Sequence, residues 1–556
     1  MILIKKITLS TAVFALGGLS VNAQIMVKDI YTGTGDSYPS FLTNINGTLY
    51  FAADNGTNGK ELWKSDGTDI GTVMVKDIYP GVTSAMSTMT SPYFTNVNGT
   101  LFFTANDGTN GYELWKSDGT DVGTVIVKDI NLTGSSNSAY LTNVNGVLFF
   151  TANDSTNGYE LWKSDGTDAG TVIVKDINPT GSSNPAYLTN VNGVLFFTSN
   201  DSTNGYELWK SDGTNAGTVM VKDIYPGASS SMPITAPTFA FPYFTNSNGI
   251  LYFFADNGTN GDELWKSDGS TAGTSMVKDI NPAGSSEHFD LINANGTLYV
   301  GAYDGTNGVE LWKSDGTDAG TVIVKDINPA GSSNPAYLTN VNGTVYFSAY
   351  DGSWNGIELW KSDGTATGTV MVKDVFPGYN NSYPSDLTNS NGILYFIAYN
   401  GTNGWELWKS DGTAVGTVME KDIWPGLSGS FDLSPSYLTD VNGTLYFAAS
   451  QGTNGVELWR NNITTDIFSL VINDNPIIYP NPSNGKFTAT IDSGSINQIA
   501  VYNVIGESVY FQKAGTSSQS ETLNIDLGTD FPAGIYFLQV NIGEQTINKK
   551  LVVENK

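Results

Sequence analysis

The chain has 556 residues, with 54 acidic side chains against 26 basic ones and a net charge of −28. That balance excludes nucleic acid and anionic membrane surfaces as partners, since both are held by clustered Lys and Arg. There is no cysteine and one histidine, His288, which excludes disulfide frameworks and thiolate metal sites and leaves little for histidine chemistry.

Residues 1–23 read as a secretory leader. Lys5 and Lys6 open it, Ile7 to Leu19 form the apolar run, and Val21-Asn22-Ala23 supplies a small-residue cleavage pattern. The exported chain would then begin at Gln24. No later segment is long and apolar enough for a membrane-spanning helix.

From there the phrase Glu-Leu-Trp recurs nine times, at Trp63, Trp115, Trp162, Trp209, Trp265, Trp312, Trp360, Trp408 and Trp459. A fixed period of this size means an array of one supersecondary unit. In the third copy, Ala139 to Val144 reads as a strand and Asn145-Gly146 as a type I′ hairpin turn. Val147 to Ala152 is a strand covered on both faces. Glu160 to Asp165 is the third strand, Gly166 to Gly170 a turn, and Thr171 to Ile177 a β-branched fourth strand. Four antiparallel strands per repeat, with apolar residues on both faces, predict an all-β propeller blade. A β-helix ranks second, because its rungs would be shorter and without hairpin turns.

The two ends complement each other. Ile25 to Ile30 is an orphan fourth strand, and the ninth copy lacks its own after Trp459. The sequence thus predicts a propeller of about nine four-stranded blades, with eight as the alternative count, closed by the N-terminal strand. Apart from Lys60, the basic residues between 24 and 460 fall at two repeat positions, after the Trp and in the fourth strand. They are expected to pair with the repeated Glu and Asp.

The repeats, in full form Glu160-Leu-Trp-Lys-Ser-Asp-Gly-Thr-Asp-Ala-Gly-Thr171, resemble the ELWxxDGTxxGT repeat of exported bacterial proteins. That resemblance implies a surface or secreted repeat protein with adhesion as the expected role. Residues 461–478 read as a linker. The last segment, 479–556, carries Tyr479-Pro480-Asn481-Pro482, Val501-Tyr-Asn-Val-Ile-Gly506, Pro532-Ala-Gly-Ile-Tyr-Phe537 and Lys550-Leu-Val-Val553. It resembles the type A C-terminal sorting domain of type IX secretion substrates. The resemblance implies a small Ig-like β-sandwich, read by the type IX translocon and sortase, and a product released or anchored at the surface of a Gram-negative bacterium.

Strand alternation puts the second-to-third loops and the blade-to-blade connections on one face, the loop face. Asp107, Asn110, Glu113 and Asp129 gather there with their repeats. Such oxygen-rich loops can take Ca²⁺, although Asn, Asp and Gly equally serve turns; no other cofactor is implied. His288, between Glu287 and Phe289, reads as a solvated loop residue. The same face collects two insertions, Val82–Pro92 and Ala228–Pro242, and the three tryptophans outside the motif, Trp354, Trp405 and Trp424. Tyr303, Tyr350 and Tyr399 precede its loops in blades six to eight. Aromatics beside amides suit a stacking platform for sugars. The expected function is therefore a non-enzymatic binding or adhesion module for glycan or protein ligands. The alternatives are a carboxylate-dependent hydrolase or a structural surface-layer component.

Overall fold

The computed structural model describes residues 23–86, 94–232, 244–427, 429–431, 436–462, 477–490, 496–503, 507–513, 522–528, 531–542 and 545–554. The leader and most of both loop insertions lie outside the described residues. The chain divides into two compact units, with the boundary at residue 464. Among the described residues there is no helix; every regular element is a strand.

The first unit is a propeller of nine four-stranded antiparallel sheets. Blade 3 shows how the sequence builds one. Its strands are Ala139–Val144, Val147–Asn153, Tyr159–Ser164 and Val172–Lys175, hydrogen-bonded in that order. Asn145 and Gly146 adopt φ 53° and 85°, the paired left-handed conformations of a type I′ turn, and Asn143 Oδ1 accepts from the Gly146 N–H at 2.9 Å. The innermost strand is not regular. Tyr140 sits at φ 55° and the register slips between Ala139 and Thr142, a bulge that the sequence does not announce.

The blades close into a ring. Asn143 Nδ2 donates to the Asn96 carbonyl of blade 2, and Thr142 Oγ1 donates to the Leu188 carbonyl of blade 4. The same two bonds join the last blade to the first, Asn44 Nδ2 to the Asp440 carbonyl and Thr439 Oγ1 to the Leu42 carbonyl. Ala23–Lys28 completes blade 9 by pairing antiparallel with Val456–Asn462, Met26 opposite Trp459. An edge that would otherwise expose unpaired backbone groups is covered.

Motif Leu and Trp face opposite sides of each sheet, as the period of two requires. Trp162 packs with Leu114 and Val127 of blade 2, whereas Leu161 packs with Leu195 and Trp209 of blade 4. Each interface is therefore built on an apolar layer.

The lysines bind the ring together, and the sequence expectation holds for repeated aspartates but not for the motif glutamates. In blades 1 to 7 the lysine after the Trp reaches the turn of the next blade: Lys163 Nζ donates to the Gly213 carbonyl at 2.8 Å and Lys116 to Gly166 at 2.8 Å. Fourth-strand lysines pair with exposed turn aspartates, as Lys128 with Asp168, or lie over the next blade's Trp, as Lys222 over Trp265. The repeated motif glutamates are not their partners in these contacts.

In the second unit, Ile477–Tyr479, Lys486–Thr490 and Thr522–Asp526 form one sheet. Ile496–Tyr502, Ser508–Lys513, Gly534–Ile542 and Gln545–Val553 form another. Phe487 and Ile525 from the first sheet share a core with Ile499, Val501, Leu538 and Leu551 from the second. That is a small β-sandwich. Asn481 holds the terminal strand: its Nδ2 donates to the Lys550 carbonyl and its Oδ1 accepts from the Val552 N–H, both at 2.8 Å.

Candidate functional site

The loop face of the propeller is built on buried carboxylates. Glu160, the first residue of the motif, is fully buried. Its Oε2 accepts from the Ile177 N–H at 2.8 Å and from Ser183 Oγ at 2.6 Å, and its Oε1 accepts from the Ser183 N–H at 2.8 Å. One side chain thus ties the end of the fourth strand to the connection that leads to the next blade. Burial pushes its pKa up to about 7, although the serine and backbone donors pull the other way. All nine motif glutamates are raised with burial as the leading cause.

The oxygen-rich loops use bonds of the same kind. Glu113 repeats the pattern, accepting from the Ile130 and Ser136 N–H groups. Asp107 closes its own loop: Oδ1 accepts from the Thr109 and Asn110 N–H groups and Oδ2 from Asn110 Nδ2, all at 2.7–2.8 Å. Asp129 Oδ1 is buried without a donor. Three of the four residues are therefore engaged in turn and latch bonds, and no three acidic or imidazole groups among the described residues are placed to hold a metal ion. On the opposite face, Asp165 Oδ1 accepts from the Thr167 N–H and hydroxyl, closing the Ser-Asp-Gly-Thr turn.

The aromatic residues divide into separate groups. Tyr399 and Trp405 are cross-strand partners with ring centroids 5.8 Å apart, and Trp405 stacks toward Tyr383 at 6.3 Å. Trp405 is also packed against the core between blades 8 and 9. Trp424 belongs to a repeat position. A Cβ on Gly452 of the next blade would fall 2.6 Å from its ring, as one on Gly108 would from Tyr79 and one on Gly56 from Tyr31. It packs one blade on the next. Tyr303 and Tyr350 end second strands and donate backbone N–H groups to Ser286 and Ser333. Trp354 stands apart. It is 67% exposed and touches Tyr379, itself 62% exposed, with centroids 3.7 Å apart.

Two partners escaped the sequence reading. Tyr379 and Tyr383 lie in the connection after Val375, where Phe-Pro-Gly-Tyr-Asn-Asn-Ser-Tyr replaces the Asn-Pro-Ala-Gly-Ser-Ser-Asn of blade 6. That departure from the repeat was the available signal. His288 corrects another expectation. It is not a solvated loop residue: its side chain is 14% exposed and its ring lies parallel on Phe254 at 3.7 Å. Burial lowers its pKa to about 3 and raises that of Asp262, 3.4 Å away, to about 7.

Residues 477–554 match the family of secretion-system C-terminal sorting domains. The protein is accordingly a cargo of type IX secretion, released from or attached to the outer surface of a Gram-negative bacterium of the Bacteroidetes type. The ulvan lyase NLR42 of Nonlabens ulvanivorans is 30% identical over 78 residues, which are 14% of this chain and 14% of the lyase. Among solved structures, a puromycin hydrolase is 12% identical at a TM-score of 0.34, with 76% of this chain covering 60% of that one. The surface component PorZ of the Porphyromonas gingivalis type IX system is 12% identical at a TM-score of 0.20, over 95% of this chain and 87% of PorZ. Similarities this low transfer no activity. The chain spans 60% of the hydrolase and a small fraction of the lyase.

Proposed function

We propose that the propeller is the binding part of this exported protein, a non-enzymatic adhesion module that takes glycan or protein ligands on its loop face. The observation that carries this reading is the Trp354–Tyr379 pair, two large rings left in solvent on a protein whose other tryptophans are packed into or against blades. Exposed aromatic pairs on a polar rim are characteristic of recognition surfaces. The motif glutamates support it from the other side. They are buried acids present in every blade, and their oxygens already serve backbone and serine donors, which leaves them less free for acid–base work.

The test is a glycan array and a protein-binding screen with the secreted full chain, run with and without EDTA. Each is repeated with Trp354→Ala/Tyr379→Ala. The expected result is a ligand whose binding the double variant weakens while the melting temperature stays put. A full screen with no ligand would overturn the reading.

A further inference from the structure

The interface between blades 3 and 4 contains a cavity of about 360 Å³. It lies at the loop-face end of the sheets, since Tyr159 and Tyr206, the first residues of adjacent third strands, form two of its walls. Tyr140, Thr151, Asn184 and Pro185 supply most of the remaining lining. The volume falls within the ~300–1,000 Å³ range of small-molecule sites.

Another interface shows how the same space is filled. Thr151 and Phe254 occupy the same register position, each opposite the Leu of its motif. Pro185 and His288 likewise correspond, each preceding the innermost strand. Between blades 5 and 6 the equivalent volume is filled by the Phe254–His288 stack, with Asp262 where Tyr159 stands in blade 3. Between blades 3 and 4 the smaller Thr151 and Pro185 meet through a 2.6 Å hydrogen bond and leave a cleft beside them.

We infer that this cleft is a subsite for one neutral sugar ring of a polysaccharide. Three features select that chemistry. Tyrosine faces offer apolar surface to the C–H faces of a pyranose. Polar atoms are fixed at their rims: the Tyr206 hydroxyl accepts from Asn184 Nδ2 and the Tyr159 hydroxyl from Asn137 Nδ2, both at 3.1 Å. Each phenol keeps its own proton to donate, and Asn184 Oδ1 is an acceptor, which matches sugar hydroxyls that both give and take hydrogen bonds. The lining carries no Lys, Arg, Asp or Glu, so nothing compensates a charged ligand, and a chain of net charge −28 repels anionic sugars at long range. The inference rests on the binding role proposed above and names the ligand class and the place.

The experiment is affinity electrophoresis of the secreted full chain in gels containing starch, xylan or galactomannan, with polygalacturonate as the charged control. Thr151→Phe fills the cleft with the side chain that blade 5 already accommodates, and Tyr206→Ala removes one wall. Expected is retardation by a neutral polysaccharide, weakened roughly tenfold or more in both variants, with only a small change of melting temperature in Thr151→Phe. Retardation that survives Thr151→Phe and Tyr206→Ala but is lost with Trp354 and Tyr379 overturns the cleft and keeps the binding role. Retardation by polygalacturonate alone, or binding only of proteins, overturns the neutral-sugar class. Absence of any ligand in both this assay and the array overturns the inference together with the binding role.

Discussion

The interface between blades 3 and 4 and the one between blades 5 and 6 share a frame and differ in filling. Both are closed by a motif tryptophan of the following blade, Trp209 in one and Trp312 in the other, each 6% exposed. Both are latched by a buried motif glutamate, Glu160 or Glu263. Yet one holds a cavity lined by tyrosines and the other a stacked Phe254–His288 pair. The frame fixes the ring, and two positions at the loop-face end vary without disturbing it. Stability should therefore respond alike in both interfaces to changes in the frame, and differently to changes in the filling.

Removing the frame residue should cost most. Trp209→Ala and Trp312→Ala should each destabilise by about 3–5 kcal/mol, the usual range for truncating a buried Trp. Urea denaturation of the two variants checks this. A large inequality would mean that the two interfaces are not the same structure with different contents.

The glutamates add a pH dependence. Their folded pKa values are raised, to about 7 in Glu160 and about 8 in Glu263, above an ordinary 4.5. The folded chain then holds protons that the unfolded chain has lost. The slope of stability with pH is negative wherever the native state binds more protons. Stability should thus fall as pH rises from about 4.5 to about 7–8. The turn aspartates act oppositely and lower down: hydrogen bonds from Thr167 depress Asp165, so its contribution is lost as pH falls below 3.8. Melting temperature should peak between the two windows. A monotonic rise through neutrality would contradict the buried-glutamate account.

Exchanging the fillings is the sharper test. Phe254→Thr opens the blade 5–6 interface and strips His288 of its stacking partner. It should cost about 2–4 kcal/mol as a buried aromatic truncation. The reverse change, Thr151→Phe, enters a space already empty and should shift stability by less than about 1.5 kcal/mol, whereas insertion into a packed core would cost more. It does remove the 2.6 Å bond from Thr151 Oγ1 to the Pro185 carbonyl. Equal destabilisation by the two would show that the cleft is not open in solution.

The frame was legible in the sequence and the filling was not. Period-two apolar runs, Asn-Gly turns and the orphan strand at Ile25 announce strands, hairpins and closure, because each follows from local backbone chemistry. The glutamate latch was hidden, since an acid at the head of a strand reads as solvent-facing until its backbone donors are in place. Lysines read as its partners went instead to neighbouring turns. Tyr159 and Tyr206 recur at one repeat position, so nothing local marks them as a pair. Only the ring closure shows that recurrence in adjacent blades makes two facing walls. His288 looked solvated because its loop is polar, and the missing information was that Phe254, thirty-four positions earlier, meets it.

The smallest expected effect concerns that histidine, and it is the cleanest to read because the chain has no other. Burial against Phe254 lowers its pKa to about 3, from an ordinary 6.5. The unfolded chain therefore binds the proton first on acidification. Its contribution to stability is present above pH 6.5 and fades as pH falls toward 3, opposite in sign to the glutamates in the overlapping window. Nine glutamates against one histidine leave the overall melting profile to the glutamates. The single imidazole signal in a proton–nitrogen NMR titration isolates the histidine. It should stay neutral down to at least pH 5 in the native chain. In Phe254→Thr, with the stacking face open to water, its pKa should return toward 6.5. Thr151→Phe, two blades away, should leave it where it was. A native histidine that titrates near 6.5 would place His288 in solvent and remove the distinction between the two interfaces.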